Sequence, residues 1–576
     1  TLTNSIVRSG NLQTGYANQI AGNLATQVLT LVDSTLTNAG VANIGYNAGS
    51  TSTVTLSGTS SLSSGNRTLL GFGAGAVGTV VIEDDSSYTT ANWMSVGNRG
   101  EGTLTVRDRG SFTTTGDFNV ADLEASVGRV EISDAATLAT GAVYVGKAVG
   151  AQGTVVMSGG SLQAGADSSF QVGRYGTGSW TQSGGTVNAD GWTSIARYEG
   201  STGTMTLSGG TFNQTAANRG LFVGEVGTGT MTLSGSGVLN LAGATTGLTI
   251  GKAATAVGTV NLDGGRITTS IVREVNEAQS TFNFNGGVLQ AADNAQAGFM
   301  TGLDAANVLA GGAIIDSNGQ AIVIDQPLLD GGTGGGLSKI GSGTLTLAGA
   351  STYTGATSIT AGTLSLTGDI SASAATAATA GTLAGSGTVG SLAVNVGGTV
   401  SPGVGVGTLT TTQGVTWASG GSLNWQVADA AGGAGTGWDL LTVGGALAIS
   451  STSAEPFAVN LWSLSSASPV TGGDAANFNA SQSYTWTIAS TTGGITGFAA
   501  DKFVVRTAAA NGTSGFTNPV GTGGFAVAQS GNDLQLVYSP GAPTNDIIID
   551  VPSGSQTQAQ AGYPTIATAD SVTKIG

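Results

Sequence analysis

Six charged side chains recur at one place in successive repeats of this chain. Each follows, by one or two residues, a short apolar run that ends in Val-Gly or a related pair. The six are Arg99, Lys147, Arg174, Arg197, Glu225 and Lys252. If the repeats stack, these side chains form a lateral ladder of charge that suits a glycan or a protein partner. Solvated turn residues are the alternative, because charged side chains usually lie at the surface.

The densest acidic cluster is Glu83-Asp84-Asp85. Adjacent residues of a strand face opposite ways, so Asp84 opposes its two neighbours. A solvated turn is the favoured interpretation, and a calcium site is the alternative. The nonapeptide that stacks calcium in β-rolls is absent from the sequence.

Composition removes several classes of chemistry. The 576 residues include no His and no Cys. Ser-His-Asp and Cys-His catalysis are therefore excluded as such, as are zinc and haem sites of the usual kinds. A net charge of −16 without a basic cluster argues against nucleic-acid binding. The sequence contains no run of 18 apolar residues, so we predict no transmembrane helix. We expect no cofactor, no metal and no enzymatic activity.

The elements that position these side chains follow from a repeated phrase. Gly or Ser, one further residue and an apolar residue open an alternating run ten times between Ser52 and Ser280. The steps are 26, 24, 26, 25, 25, 25, 26, 29 and 22 residues. A fixed period in this range indicates stacked repeats.

Each repeat carries about three short strands. In the phrase GTMTLSGGTFNQT, Met205, Leu207 and Phe212 fall on the apolar beats, and a Gly pair interrupts the run as a turn would. A third apolar run precedes the next phrase. We therefore predict an all-β fold, a right-handed parallel β-helix with coils of about 25 residues. A string of sandwich domains is the rival, but it would not repeat one phrase at this interval.

The repeat pattern changes along the chain and divides it into six predicted segments. They are an N-terminal cap or first coil (1–41), regular β-helix repeats (42–293), an irregular junction (294–336), a second β-helix repeat type (337–415), an irregular, wider, aromatic-rich C-terminal β region (416–540) and an extended tail (541–576). The closing phrase VTKIG at 572–576 echoes LSKIG at 337–341. This echo predicts that the encoded protein continues past Gly576 or is cut there.

Residues 337–368 resemble the autotransporter-associated β-strand repeat, whose pattern is roughly K-x-G-x-G-T-L-x-L, an aromatic-T-G core and A-G-T-L. The matching residues are Lys339, Gly341, Gly343, Thr344, Leu345, Leu347, Tyr353, Thr354, Gly355, Ala361, Gly362, Thr363 and Leu364. The array at 42–293 resembles repeats shared by type V secretion and PEP-CTERM proteins. The resemblance implies a right-handed β-helical passenger, exported to or sorted to the cell surface, and it carries no catalytic residues across.

The function expected from these observations is that of a bacterial extracellular structural or adhesive solenoid, secreted or on the outer cell surface of a Gram-negative-type bacterium. Its partners would be itself or extracellular glycans. The tail at 541–576 would add a strand to the open end of a neighbour and build a head-to-tail fibre. A β-helical carbohydrate-active enzyme and a non-polymerising adhesin that binds glycans along a lateral face are the alternatives.

Overall fold

The chain is a parallel β-solenoid of about 16 turns, as the predicted all-β repeat requires. A computed structural model describes residues 1–14, 26–165, 168–214, 216–510 and 512–541, and the backbone of the strands Ile547–Asp550 and Val572–Ile575. It divides into two compact units. The first comprises 1–400 and 410–415, and the second comprises 401–409 and 416–576.

Three parallel sheets run along most of the first unit, with one strand from each coil in each sheet. The first sheet consists of Leu2–Thr3, Thr26–Val32, Thr51–Ser57, Val77–Ile82, Glu101–Val106, Val127–Ile132, Gln152–Met157, Thr177–Gln182, Thr202–Leu207, Thr228–Leu233, Val257–Leu262, Gln279–Phe284, Ala305–Val308 and Leu328–Asp330. The second consists of Ile6–Ser9, Thr35–Asn38, Ser61–Ser64, Ser87–Thr90, Ser111–Thr114, Thr137–Thr140, Ser161–Ala164, Thr186–Asn188, Thr211–Asn213, Val238–Asn240, Arg266–Thr269, Val288–Ala291, Ala313–Asp316 and Leu337–Ile340. The third consists of Leu12–Thr14, Ala42–Ile44, Thr68–Leu70, Met94–Val96, Phe118–Val120, Val143–Val145, Phe170–Val172, Thr193–Ile195, Gly220–Val223, Gly247–Ile250, Val272–Arg273, Gly298–Thr301, Ala321–Ile324 and Thr344–Leu347.

Pairing in the first sheet has the register that the repeated phrase predicts. Val54 lies beside Val80, and Val80 lies beside Leu104, so equivalent apolar residues stack in one interior column. Within a strand the burial alternates, and Met205 and Leu207 are both buried. The alternating apolar residues therefore form the core, as period-2 strands require.

The Gly that opens the phrase has a steric role. A Cβ on Gly102 would lie 2.0 Å from the backbone nitrogen of Gly97, and one on Gly178 would lie 2.1 Å from that of Gly173. The first-sheet strand therefore passes directly against the turn that follows the third-sheet strand. A side chain at these positions would meet backbone, which explains why Gly opens eight of the ten phrases; Ser52 and Ser280 hold the position in the first and the last.

Asparagine ladders connect neighbouring coils. The Nδ2 of Asn213 donates to Oδ1 of Asn188 at 2.9 Å, and Nδ2 of Asn240 donates to Oδ1 of Asn213 at 3.1 Å. A second ladder on the first sheet joins Asn283 to Asn261 at 2.8 Å. Stacked amides satisfy one another along the repeat axis, so register is reinforced by side chains as well as by backbone.

Residues 294–336, predicted as an irregular junction, continue the three sheets. The phrase is missing here, yet Ile322, Ile324 and Leu328 are buried as their counterparts are in other coils. Apolar alternation therefore maintains the coil without the opening Gly.

The strand pairing changes in the segment that was predicted to be a second repeat type. Leu337–Ile340 and Thr344–Leu347 both pair with the single long strand Thr357–Leu366. The strands that follow in the first unit are Asp369–Ile370, Ala375–Gly385, Thr388–Val389 and Leu392–Val394. Three further strands contain the division between the units: Thr399–Pro402, Thr408–Thr411 and Val415–Trp417.

The second unit has wider coils and an aromatic core, as predicted. Its elements are Ser422–Val427, Leu440–Val443, Leu447–Ile449, Phe457–Ala467, Val470–Gly472, Tyr484–Thr491, Ile495–Thr496, the 3-10 turn Ala500–Lys502, Phe503–Arg506, Gly524–Ser530, Asp533–Ser539, Ile547–Asp550 and Val572–Ile575. Nδ2 of Asn460 donates to Oδ1 of Asn424, which lies 36 residues earlier in the chain. The step from coil to coil is therefore longer here than in the first unit. The rings of Trp417 and Phe457 stack at 4.5 Å, and larger side chains fill the wider interior.

The predicted tail lies largely outside the described residues. The backbone of Val572–Ile575 pairs in parallel with Ile547–Asp550, with Lys574 opposite Ile549. Lys339 lies opposite Ile315 in the same register. The two similar sequences therefore also share a backbone pairing, in which the Lys lies opposite an Ile of a parallel strand.

Candidate functional site

The outward side of the third sheet carries a row of side chains that we call the outer row. Each strand of this sheet contributes the residue that lies between its inward-facing residues. These outward-facing residues pair in register from coil to coil: Ser95, Asn119, Tyr144, Gln171, Ser194, Phe222, Thr249 and Arg273. Alternation points them away from the core. Nevertheless Gln171 is only 4% exposed and Thr249 only 1% exposed. The Arg174 side chain, for example, extends over the ring of Tyr144.

Five of the six charged residues predicted as a ladder lie together beside this row, and we call them the lateral column: Lys147, Arg174, Arg197, Glu225 and Lys252. The backbone joins them from coil to coil, since Arg197 N donates to Gly173 O at 2.9 Å and Glu225 N donates to Ala196 O at 3.0 Å. Arg99 lies outside the column, because it follows its Val-Gly pair one residue later than the others.

The equivalent position in the coil of Arg99 is held by Asn98. Its Nδ2 donates to Oδ2 of Asp122 at 3.1 Å, and Asp122 in turn forms an ion pair with Lys147 at 2.8 Å. Arg99 extends instead over the ring of Phe72, 5.5 Å from its centre. The column therefore continues from Lys147 through Asp122 to Asn98, neither of which belongs to the six predicted residues.

Glu225 is the electrostatic centre of the column. It is 2% exposed and forms ion pairs with Arg197 and with Lys252, the latter at 2.9 Å. Its second oxygen accepts a hydrogen bond from Trp192 Nε1 at 2.9 Å. Burial lowers the pKa of Arg197, but the hydrogen bond and charge of Glu225 outweigh it and leave that pKa raised. A buried carboxylate needs this compensation, because desolvation of a single charge is costly.

Aromatic rings and cations stack along the same face. The Arg174 guanidinium lies 4.3 Å from the ring centre of Tyr144, and that of Arg197 lies 4.7 Å from Trp192. The rings of Tyr175 and Tyr198 stack at 4.1 Å and 4°. Cation–π contacts of this kind contribute about 0.5–2 kcal/mol each and hold long side chains in place.

A cavity of about 220 Å³ opens beside the column. Its lining includes Trp192, Phe222, Thr246, Lys252 and Arg273. The rings of Trp192 and Phe222 stack at 4.9 Å and 12°, and Lys252 Nζ lies 4.5 Å from the Trp192 ring centre. An aromatic platform and cationic groups therefore meet at one opening.

Several buried polar atoms of this face lack a partner. Gln171 Oε1, Ser194 Oγ and Thr249 Oγ1 have no hydrogen bond to any described residue, and neither do the Nε atoms of Arg197 and Arg273. Buried polar atoms are usually hydrogen-bonded, so these atoms mark a polar layer beneath the surface of this face.

The acidic triplet has a different setting. Glu83 forms an ion pair with Arg107, and Arg109 donates to Asp85 at 2.7 Å. The hydrogen bond from Arg109 lowers the pKa of Asp85. Asp84 has φ of 56° and accepts from a backbone amide of the preceding coil. The three carboxylates therefore stabilise a turn, and within the described ranges no group of three or more acidic side chains is arranged to hold a metal ion.

The sequence contained a usable signal for the aromatic members of the face. Tyr144 and Phe222 each occupy the middle of a third apolar run, where alternation turns them outward. Trp192 precedes its strand by one residue, so only the fold brings it onto Phe222. The pattern of charged residues therefore does not predict these three rings.

The Lys of the second repeat type has a structural role. Lys339 is fully buried, and its ammonium donates to the carbonyls of Ile340 at 2.8 Å, Gly341 at 2.7 Å and Ala361 at 3.1 Å. Burial lowers its pKa to about 8, against the opposing charge of Asp316. It joins a turn of one coil to the strand of the next.

The family described as passenger-associated-transport-repeat matches residues 337–366. The resemblance of this segment to an autotransporter passenger repeat is thereby confirmed, while that of residues 42–293 stays a prediction. The curated proteins contain no significant match to the chain. Among the described residues, no helix has the length and apolar character needed to cross a membrane.

Proposed function

We propose that this chain is an adhesive passenger on the surface of a Gram-negative bacterium, and that its lateral column binds glycans. The passenger repeat at 337–366 on a parallel β-solenoid supports the first part, an autotransporter-like passenger. The solenoid repeats one surface many times along its axis, which suits a long, repetitive ligand.

One observation carries the glycan proposal. The turns beside the column present the exposed or half-exposed stacked rings of Tyr175 and Tyr198, and the half-buried guanidinium groups of Arg174 and Arg197 lie against these rings. A sugar ring presents C–H groups on its flat face and hydroxyls at its edge. The C–H groups pack on the negative face of an aromatic ring, and the hydroxyls donate to and accept from polar side chains.

We propose binding without turnover. The two buried carboxylates of the face, Asp122 and Glu225, are both engaged in ion pairs. Glycoside hydrolysis by the usual route needs one carboxyl group that holds a proton and a second that acts as nucleophile or base. Both carboxylates are buried against these partners, so neither is presented to a bound sugar for either role.

The head-to-tail fibre stays a prediction. Its strand donor, residues 541–576, lies largely outside the described residues. The outer row and the column consist of described residues, so they support the glycan-binding adhesin more directly.

A glycan array tests the proposal with the full chain and two variants. Tyr175→Ala removes a ring that is 41% exposed, and Val127→Ala removes an equally exposed side chain from the first sheet. We expect wild type to bind a subset of glycans, Tyr175→Ala to bind them about two- to tenfold more weakly, and Val127→Ala to match wild type. The proposal is wrong if wild type binds no glycan, or if both variants behave alike.

A further inference from the structure

The cavity beside the column is lined by three cations and no carboxylate. Among the described residues, the lining cations are Arg219, Lys252 and Arg273. The whole chain has only 17 Lys and Arg and a net charge of −16. Lys252 is already paired with Glu225, so the charge that attracts an anion comes mainly from Arg273, and a cationic opening of this kind is an exception on an acidic protein.

The apolar side of the cavity narrows the class of anion. The stacked rings of Trp192 and Phe222 form one wall, and Asn218 and Thr246 contribute polar groups. Thr246 Oγ1 is buried without a hydrogen bond to a described residue. A bare inorganic anion would leave the ring wall without contact, whereas a sugar ring that carries an acid group uses all three features.

The volume of the cavity limits how much of a ligand it can hold. Its volume of about 220 Å³ is below the roughly 300–1,000 Å³ of clefts that enclose drug-sized molecules. It therefore accommodates one ring of a longer chain, and neighbouring rings would continue along the column.

We propose that this cavity is a subsite for a carboxylate-bearing sugar residue within a glycan. Arg273, which is half-buried and lines the cavity, would bind the carboxylate, since the planar guanidinium matches a carboxylate in geometry. Lys252 already pairs with Glu225 and would add charge without being the principal contact. This inference rests on the proposed glycan-binding function.

The test compares an oligouronate with the same oligosaccharide after reduction of its carboxylates to alcohols. Binding of each to the full chain is measured by calorimetry for wild type, Arg273→Gln and the control Arg266→Gln. Arg266 is exposed and belongs to the neighbouring second sheet, so its replacement changes the charge equally away from the cavity. Circular dichroism and the thermal midpoint establish that each variant is folded.

We expect wild type and Arg266→Gln to bind the oligouronate at least tenfold more tightly than the reduced form, and Arg273→Gln to lose that preference. Equal binding of the two oligosaccharides would overturn the acidic subsite and leave the glycan-binding function intact. Equal effects of the two Arg variants would overturn its location. If wild type binds neither oligosaccharide but retains array ligands sensitive to Tyr175→Ala, the subsite fails alone; if no glycan binds at all, both proposals fail.

Discussion

The replacement Gly178→Ala tests whether close approach between coils explains the repeated phrase. The new Cβ would lie 2.1 Å from Gly173 N and 2.8 Å from Val145 O, two atoms that are themselves joined by a hydrogen bond of 2.8 Å. Backbone must move by roughly 1 Å to restore ordinary contact, which strains a close-packed interior. Overpacking costs about 1–3 kcal/mol, and the lost hydrogen bond adds about 1 kcal/mol. We expect the free energy of unfolding to fall by about 2–4 kcal/mol.

The assay combines urea unfolding with hydrogen exchange. Because each coil contacts mainly its neighbours, we expect faster exchange in Phe170–Val172 and Thr177–Gln182 but not in Thr51–Ser57. Gly298→Ala is the control, since a Cβ there has no atom within 4 Å, and it should change stability by less than about 0.5 kcal/mol. Equal stability of Gly178→Ala and the control would refute the steric explanation.

Three further perturbations test other contacts. Asn213→Ala removes two links of an amide ladder, and we expect a loss of about 1–3 kcal/mol in urea unfolding. Between pH 8 and 10.5 the unfolded chain holds a proton at Lys339 that the folded chain releases. The stability of wild type relative to Lys339→Met should therefore rise with pH, by up to about 3 kcal/mol, and a flat difference would contradict the lowered pKa. Glu225→Gln leaves two cations without their counter-charge, and we expect a thermal shift equivalent to about 1–3 kcal/mol, since both cations reach solvent.

The coil was predictable from the sequence because its determinants are local and repeated. Alternation in strands such as Thr202–Leu207 specifies which residues are buried, and the steps between phrases specify the register. The segment at 294–336 was harder to predict, because the conspicuous Gly is missing there although the apolar alternation persists.

The candidate site was predictable only in part. Five of the six charged residues align because each directly follows a Val-Gly, Ile-Ala or Ile-Gly pair, and Arg99 does not align because it follows its Val-Gly pair one residue later. The contact between Trp192 and Phe222 joins residues from different coils, so no short motif announces it. The partners of Glu225 are likewise set by stacking and not by neighbouring positions in the chain.

Hydrogen exchange of the full chain with and without its best array glycan tests the central claim most directly. We predict new protection in the turns at 173–176 and 196–199, which follow third-sheet strands beside the column, and unchanged exchange in the first-sheet strands Thr177–Gln182 and Thr202–Leu207. Protection confined to the first sheet or to the second unit, with these turns unaffected, would contradict a glycan-binding lateral column.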